Sequence, residues 1–174
     1  MGLRGVIPPL VTPFRADGAL DLAAFEANVE ALAVHDLAGF LVLGSNGEAA
    51  SLDEEEKLAL VAAARRRAPG RFLLVGTGME GTRATVALTR KAAGLGADAV
   101  LVLTPHYYKG RMTVEALRRH FEAVADASPV PVYLYSVPAF TGLPWPPGLA
   151  PALAAHPRVA GMKESARRVR RSPF

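Results

Sequence analysis

Short apolar runs alternate with longer amphipathic segments along the whole sequence. The runs read GVIPPLVTPF, GFLVLG, RFLLVGTG, DAVLVLTP, PVYLYSVP and RVAGMKES. Successive runs begin roughly 30 residues apart, which is the length of one βαβ unit. Runs without polar alternation, such as FLVLG and AVLVL, are typical of strands buried on both faces. The pattern predicts a parallel sheet of six strands with helices between them.

Helix boundaries are indicated by apolar spacing and by capping residues. A first helix is predicted from about Asp21 to His35, because its apolar residues recur at intervals of three and four. A second helix is predicted to begin after Ser51 as its N-cap, with acidic residues in its first turn. Thr82 and Thr113 are predicted to cap the third and fourth helices.

Two architectures fit this order of elements: an open doubly wound sheet and a (β/α)₈ TIM barrel. A doubly wound dinucleotide-binding fold carries G-x-G-x-x-G after its first strand, whereas this chain has PPLVTPF there. The barrel is therefore expected. Since a barrel needs eight strands and about 250 residues, we expect one truncated after the sixth strand, with residues 1–165 forming a partial barrel domain.

Composition excludes several other classes of protein. The chain has no cysteine, so it has neither disulfides nor thiolate metal ligands, and a reducing, cytoplasmic location is expected. No apolar run reaches the roughly 18 residues of a membrane span. The four histidines show no metal-ligand spacing, so no metal site is expected.

The positive charge of the chain is concentrated at its end. The formal net charge is +4, and ARRVRRSPF, residues 166–174, holds four arginines and no acid. The remaining basic residues equal the 16 acidic ones, so no nucleic-acid partner is expected. The arginine, serine and proline bias resembles out-of-frame translation, which predicts that 166–174 is a non-native or frameshifted tail. The alternative is a half-barrel with a basic arm.

Polar residues follow the ends of the predicted strands, where barrels place their chemistry. They are Thr12, GSNGE at 44–48, Thr77, His106 to Tyr108, Tyr135 with Ser136, and Lys163. A lysine at the end of an apolar strand has two possible roles. It can be a surface or ion-paired residue, or it can be a nucleophile. The glycines of GSNGE allow backbone N–H groups to face an anion, although the loop also fits an ordinary turn.

Four of these stretches together resemble a known family. GSNGE, TPHYYKGRM, YLYSVPAFTG and VAGMKES, in this order and spacing, are similar to the dihydrodipicolinate synthase and N-acetylneuraminate lyase family of class I aldolases. The resemblance runs from about residue 3 to Ser165. It implies a carbon–carbon lyase that acts on pyruvate or another small 2-oxo acid, without a cofactor, and that forms a homo-oligomer in its full-length form.

The resemblance also implies roles for individual residues. Lys163 would form a Schiff base with the ketone of the substrate. Tyr135 would move protons at the reacting carbon, with Ser45 as a relay. Tyr107 would complete that relay in the site of a neighbouring subunit, with Tyr108 as the adjacent alternative.

The same resemblance places the substrate carboxylate on the loop GSNGE. Ser45, Asn46 and Gly47 would hold it through their amides and side chains.

One departure from the family concerns substrate choice. Synthases of the family carry an arginine where this chain has Phe140, and the guanidinium grips the second substrate. The interpretation that leads is therefore the branch of 4-hydroxy-2-oxoglutarate aldolases. The alternatives are the condensing synthase, or an inactive truncated remnant of such an enzyme.

Overall fold

The structure, a computed structural model, describes residues 4–166. Within that range, a helix follows each of the first four strands of one parallel sheet. The α-helices are α1 (Leu22–Ala33), α2 (Glu54–Arg67), α3 (Thr82–Gly94), α4 (Val114–Ala127), α5 (Pro138–Thr141) and α6 (Leu149–Ala154). The strands are β1 (Gly39–Val42), β2 (Phe72–Gly76), β3 (Ala99–Leu103), β4 (Val132–Ser136) and β5 (Val159–Glu164).

The order of the strands decides between the two architectures that fit the sequence. Each strand pairs in parallel with the next strand of the chain, in the unbroken order β1-β2-β3-β4-β5. A doubly wound sheet reverses its order at a switch point, whereas a (β/α) barrel does not. The barrel architecture is therefore confirmed.

The first apolar run, residues 5–14, is not a strand, and that prediction is wrong. It makes one isolated parallel bridge, between Pro9 and Leu41. The Leu10 N–H donates to the Leu41 carbonyl at 2.9 Å, and the Leu41 N–H donates to the Pro8 carbonyl at 3.0 Å. The two adjacent prolines have no backbone N–H, so they cannot donate the hydrogen bonds that a longer strand pairing needs. The run predicted as the sixth strand is therefore β5.

The cap predicted for α2 is also misplaced. Asp53, not Ser51, is the N-cap, and its side chain accepts the Glu56 N–H at 2.8 Å. The Glu56 carboxylate returns a bond to the Asp53 N–H, which completes a capping box. At α1 the predicted helix is present but ends two residues earlier, at Ala33.

Of the two threonines predicted as caps, one is confirmed. Thr113 caps α4, and its hydroxyl accepts the Ala116 N–H at 3.1 Å. Thr82 is instead the first residue of α3, whose N-cap is Gly81. Its hydroxyl lies 2.9 Å from Nδ1 of His120 on α4 and so joins two helices.

The two faces of the sheet have different partners. The helices cover one face, and two apolar clusters fill the space between them and the strands. A third cluster, which includes Leu41, Leu74, Leu101 and Tyr135, lies on the opposite face. Lys163 pairs in register with Tyr135, and residues that pair in register share a face. The lysine therefore points to the face that carries the third cluster.

His120 is a buried titratable residue beneath the helices. It is 6% exposed, and its Nε2 has no hydrogen-bond partner among residues 4–166. Desolvation lowers the pKa of His120 to about 4, against a smaller opposing effect of the Glu80 charge. The folded protein therefore holds this imidazole neutral.

We expect His120 to make folding stability depend on pH. Below about pH 6.5 the His120 imidazole binds a proton in the unfolded chain. In the folded protein the same imidazole stays neutral until about pH 4. The free energy of unfolding should therefore fall as the pH falls through this window, by up to about 3 kcal/mol. Urea unfolding of the protein and of His120→Gln, at pH 7 and pH 4.5, measures the difference. Equal losses of stability in both proteins would contradict it.

Candidate active site

Three residues that are distant in sequence meet at the carboxyl ends of the strands. Ser45 Oγ lies 3.2 Å from the hydroxyl of Tyr135, across 90 positions of sequence. Lys163 Nζ lies 4.4 Å from the centroid of the Tyr135 ring. Ser45 follows β1, Tyr135 lies near the end of β4, and Lys163 lies near the end of β5. Tyr135 therefore contacts both of the other residues predicted for the site, Ser45 and Lys163.

The end of β5 is held against β4 by further bonds. The Ser136 hydroxyl donates to the Glu164 carboxylate at 3.0 Å, and the Ser165 N–H donates to the Ser136 carbonyl at 2.9 Å. Lys163 itself is half-buried. These contacts fix the chain directly after the lysine, while the lysine amine lies against an aromatic ring.

The loop GSNGE forms a single 3₁₀ turn over Ser45–Gly47. The Gly47 N–H donates to the Gly44 carbonyl at 3.0 Å, and the Glu48 N–H donates to the Ser45 carbonyl at 3.2 Å. The amides of Ser45 and Asn46 are the first two of the turn and have no carbonyl partner within it. Of the three residues predicted to hold a carboxylate, Gly47 already uses its N–H in the turn.

Two residues with left-handed backbone conformation flank this turn. Leu43 has φ 59° and Glu48 has φ 50°, and neither is glycine. Each such residue costs about 1–2 kcal/mol, so packing must hold the loop in place. Leu43 is only 5% exposed. Sequence reasoning missed this strain, because neither leucine nor glutamate signals a left-handed conformation.

A cavity of about 570 Å³ opens beside the loop. Among the residues that line it are Ser45, Tyr107, Tyr135 and Phe140, and Lys163 is not one of them. Tyr135 is therefore common to the cavity and to the lysine contact. Lys163 lies on β5, which pairs only with β4 among residues 4–166, so no described strand encloses its other side.

A second lysine, Lys57 of α2, lines the same cavity. It is 7% exposed, and its Nζ donates to the Leu52 carbonyl at 2.6 Å. Desolvation lowers the pKa of Lys57, while nearby acids such as Asp53 oppose the shift. Sequence reasoning missed this lysine. Its spacing of three and four from buried Leu60 and Val61 is the signal that could have found it.

The predicted relay residue Tyr107 lies on the rim of the cavity. It is 74% exposed and packs edge-on against Tyr108, with ring centroids 5.0 Å apart. Glu80 Oε2 accepts the backbone N–H groups of His106 and Tyr107 at 2.9 and 2.8 Å, and this fixes the loop. The Tyr107 hydroxyl has no hydrogen-bond partner in the described range 4–166, so the structure does not join it to Ser45 or Tyr135.

The two remaining threonines that were predicted to follow strands have different surroundings. Thr77 is fully buried, and its hydroxyl lies 2.8 Å from that of Thr89, which ties β2 to α3. Thr12 donates its hydroxyl to the Gly47 carbonyl at 2.7 Å and so contacts the loop GSNGE directly.

Residues 4–166 contain neither a membrane-spanning helix nor a cluster of metal ligands. None of the helices described there is long and apolar enough to cross a membrane. In that same stretch no three His, Asp or Glu side chains are grouped so that they could hold a metal ion. The predicted arginine-rich tail lies outside the described residues apart from Ala166.

The chain is similar to known proteins over nearly its whole length. The sequence profile of the Dihydrodipicolinate synthetase family matches residues 2–172. A 4-hydroxy-tetrahydrodipicolinate synthase of Xanthomonas campestris is 46% identical over 166 residues, which are 95% of this chain and 54% of that protein. A probable mitochondrial 4-hydroxy-2-oxoglutarate aldolase of Emericella nidulans is 42% identical, over 91% of this chain and 53% of that protein.

Solved structures show the same fold. The dihydrodipicolinate synthase of Acinetobacter baumannii, in complex with pyruvate, superimposes with a TM-score of 0.88 at 35% identity. The match covers 94% of this chain and 56% of that one. The chain thus spans about half the length of the curated relatives and solved structures that it matches.

Proposed function

Because the chain belongs to the Dihydrodipicolinate synthetase family, we propose that Lys163 forms a Schiff base with pyruvate or a related 2-oxo acid. The observation that carries this proposal is the series of contacts from Ser45 through Tyr135 to Lys163 at the carboxyl ends of the strands. The pyruvate bound to the Acinetobacter enzyme supports the choice of substrate.

The chemistry begins at the amine of Lys163. A neutral amine attacks the carbonyl carbon of pyruvate, and the carbonyl oxygen leaves as water with the two amine hydrogens. The resulting imine takes up one proton from solvent and becomes a protonated imine. The imine draws electrons from the neighbouring methyl carbon, which then loses a proton and becomes a nucleophile. The Tyr135 hydroxyl, hydrogen-bonded to Ser45, is the group placed to move protons at this stage.

The substrate carboxylate is assigned to the loop that follows β1. The amides of Ser45 and Asn46 begin the 3₁₀ turn without an acceptor inside it, so they are available to an anion. Gly47 contributes through its lack of a side chain, because a Cβ there would meet the Leu10 carbonyl oxygen at 2.9 Å.

Two activities remain for the activated carbon, and the relatives favour one of them. The aldolase expected first from Phe140 is supported by the name of the Emericella relative. The synthase is supported by the Xanthomonas relative and by several others of the same name. We therefore place the condensation of pyruvate with aspartate semialdehyde first and the cleavage of 4-hydroxy-2-oxoglutarate second.

The second activity is retained because of one specific residue. Phe140 in α5 is 70% exposed and lines the cavity. By the resemblance in sequence, it stands at the position where a family synthase is expected to carry an arginine. A phenyl ring cannot make the bidentate, charge-assisted contact that arginine makes with a carboxylate.

Phe140→Arg should shift the balance between the two reactions toward condensation. The new guanidinium should raise kcat/KM for aspartate semialdehyde by roughly tenfold, since hydrogen bonds to charged groups contribute about 1.5–3 kcal/mol. Both reactions are measured on the same preparation, with Phe140→Leu as the uncharged control. Faster cleavage than condensation by the unsubstituted chain would reverse the order of the two candidates.

The exposure of Tyr107 supports its expected role in the site of a neighbouring subunit. Its hydroxyl is unbonded within the described residues, and its backbone is fixed by Glu80. We propose that it reaches the site of a second copy of the chain, where it completes the proton relay.

A further inference from the structure

The segment before α1 is anchored to the sheet at the point where β1 ends. The Leu10 N–H donates to the Leu41 carbonyl, and Leu10 is 4% exposed. This anchor brings Thr12, two residues further on, to the mouth where Ser45 lies. The segment is thus docked through its buried residues Leu10 and Thr12, although it forms no strand.

Thr12 uses this placement to hold the loop after β1. Its hydroxyl donates to the Gly47 carbonyl at 2.7 Å, and Thr12 is 7% exposed, so water does not readily replace the bond. Gly47 is also buried, and its backbone is so close to the Leu10 carbonyl oxygen that a Cβ would lie 2.9 Å from it.

The loop needs such a restraint because its backbone is strained on both sides. The left-handed residues Leu43 and Glu48 enclose the turn that carries Ser45. Relaxation of either residue would rotate the turn and change the 3.2 Å separation between Ser45 Oγ and the Tyr135 hydroxyl.

We propose that Thr12 is a positioning residue that holds Ser45 against Tyr135 by binding the Gly47 carbonyl. The inference rests on the proposed function, because it gives Thr12 an effect on the proton relay. Thr12 acts only through the loop.

The test compares two substitutions at Thr12, of which only one keeps the hydroxyl that donates the hydrogen bond. Thr12→Val keeps the shape and removes the hydroxyl, whereas Thr12→Ser keeps the hydroxyl. The readout is the exchange of the pyruvate methyl hydrogens with D₂O, followed by NMR, which needs the Schiff base and proton transfer but no second substrate. We expect Thr12→Val to slow exchange roughly tenfold and Thr12→Ser to stay within about twofold.

A double-mutant cycle with Ser45→Ala separates positioning from a general structural effect. If Thr12 acts through Ser45, Thr12→Val should have no further effect on the exchange rate once Ser45 is alanine. An equal slowing in both backgrounds, or a Thr12→Ser variant as slow as Thr12→Val, would overturn the proposal.

Hydrogen exchange of the loop amides tests Thr12 independently of the reaction. Thr12→Val should expose the Gly47 and Glu48 amides to faster exchange while the amides of α4 keep their protection, and Thr12→Ser should leave both unchanged. Unchanged loop amides in Thr12→Val overturn the proposal even if pyruvate exchange is slowed. Absent pyruvate exchange in the unsubstituted chain instead overturns the proposed function, and with it the effect assigned to Thr12 on the relay.

Discussion

Replacing Lys163 with alanine should abolish the adduct that borohydride traps when the protein is incubated with pyruvate. The substitution removes the amine that lies 4.4 Å from the centroid of the Tyr135 ring. The fold should survive, because Lys163 is half-buried near the end of β5, where the loss of a side chain leaves the ladder to β4 intact. Intact-protein mass spectrometry after reduction measures the trapped fraction.

Lys57 is the matched control for this experiment. It is the other lysine that the structure brings to the site, it lines the cavity, and burial lowers its pKa. Lys57→Ala should therefore retain the adduct that Lys163→Ala loses. The reverse result would make Lys57 the nucleophile and remove Lys163 from the mechanism.

Tyr135→Phe should slow the exchange of the pyruvate methyl hydrogens by about 10²–10⁴-fold, the range that general acid–base groups contribute. The phenylalanine keeps the ring that faces the Lys163 amine and removes only the hydroxyl that contacts Ser45. The Schiff base should still form, so borohydride trapping persists while exchange is lost. That separation assigns the hydroxyl to proton transfer and not to the capture of pyruvate.

Tyr133→Phe provides the control on the same strand and the same face. Tyr133 lies two residues before Tyr135, and burial raises the pKa of its phenol. Its ring packs against Gly161, and no hydrogen bond joins its hydroxyl to the site within residues 4–166. Exchange should stay within about threefold of the unsubstituted rate. Equal effects at both tyrosines, or none at Tyr135, would contradict the assignment.

The sheet could be predicted from sequence because its signal is periodic. Buried parallel strands need continuous apolar runs, and the loops at their carboxyl ends collect polar residues. For the same reason Ser45, Tyr135 and Lys163 could be assigned to one end of the sheet before any contact was known. The first run misled because its apolar composition was given more weight than Pro8 and Pro9, which lack the N–H donors of a strand.

The remaining parts of the site depend on tertiary geometry that carries no local signal. The left-handed backbones of Leu43 and Glu48 arise from packing, since neither residue favours that conformation. The hydrogen bond from Thr12 to the Gly47 carbonyl spans 35 positions of sequence. It forms only when the segment before α1 is docked against β1. Phe140 could be identified from sequence as a departure from the synthase pattern. Its effect on the reaction does not follow from sequence alone, because the names of the relatives favour the synthase.

The most direct measurement of the central claim is to map the reduced pyruvyl group on the unsubstituted chain. The protein is incubated with pyruvate and borohydride, digested, and sequenced by mass spectrometry. The account predicts a single modified residue, Lys163, in the peptide that contains VAGMKES. Modification of Lys57, label scattered over exposed lysines such as Lys91 and Lys109, or no label at all would contradict it.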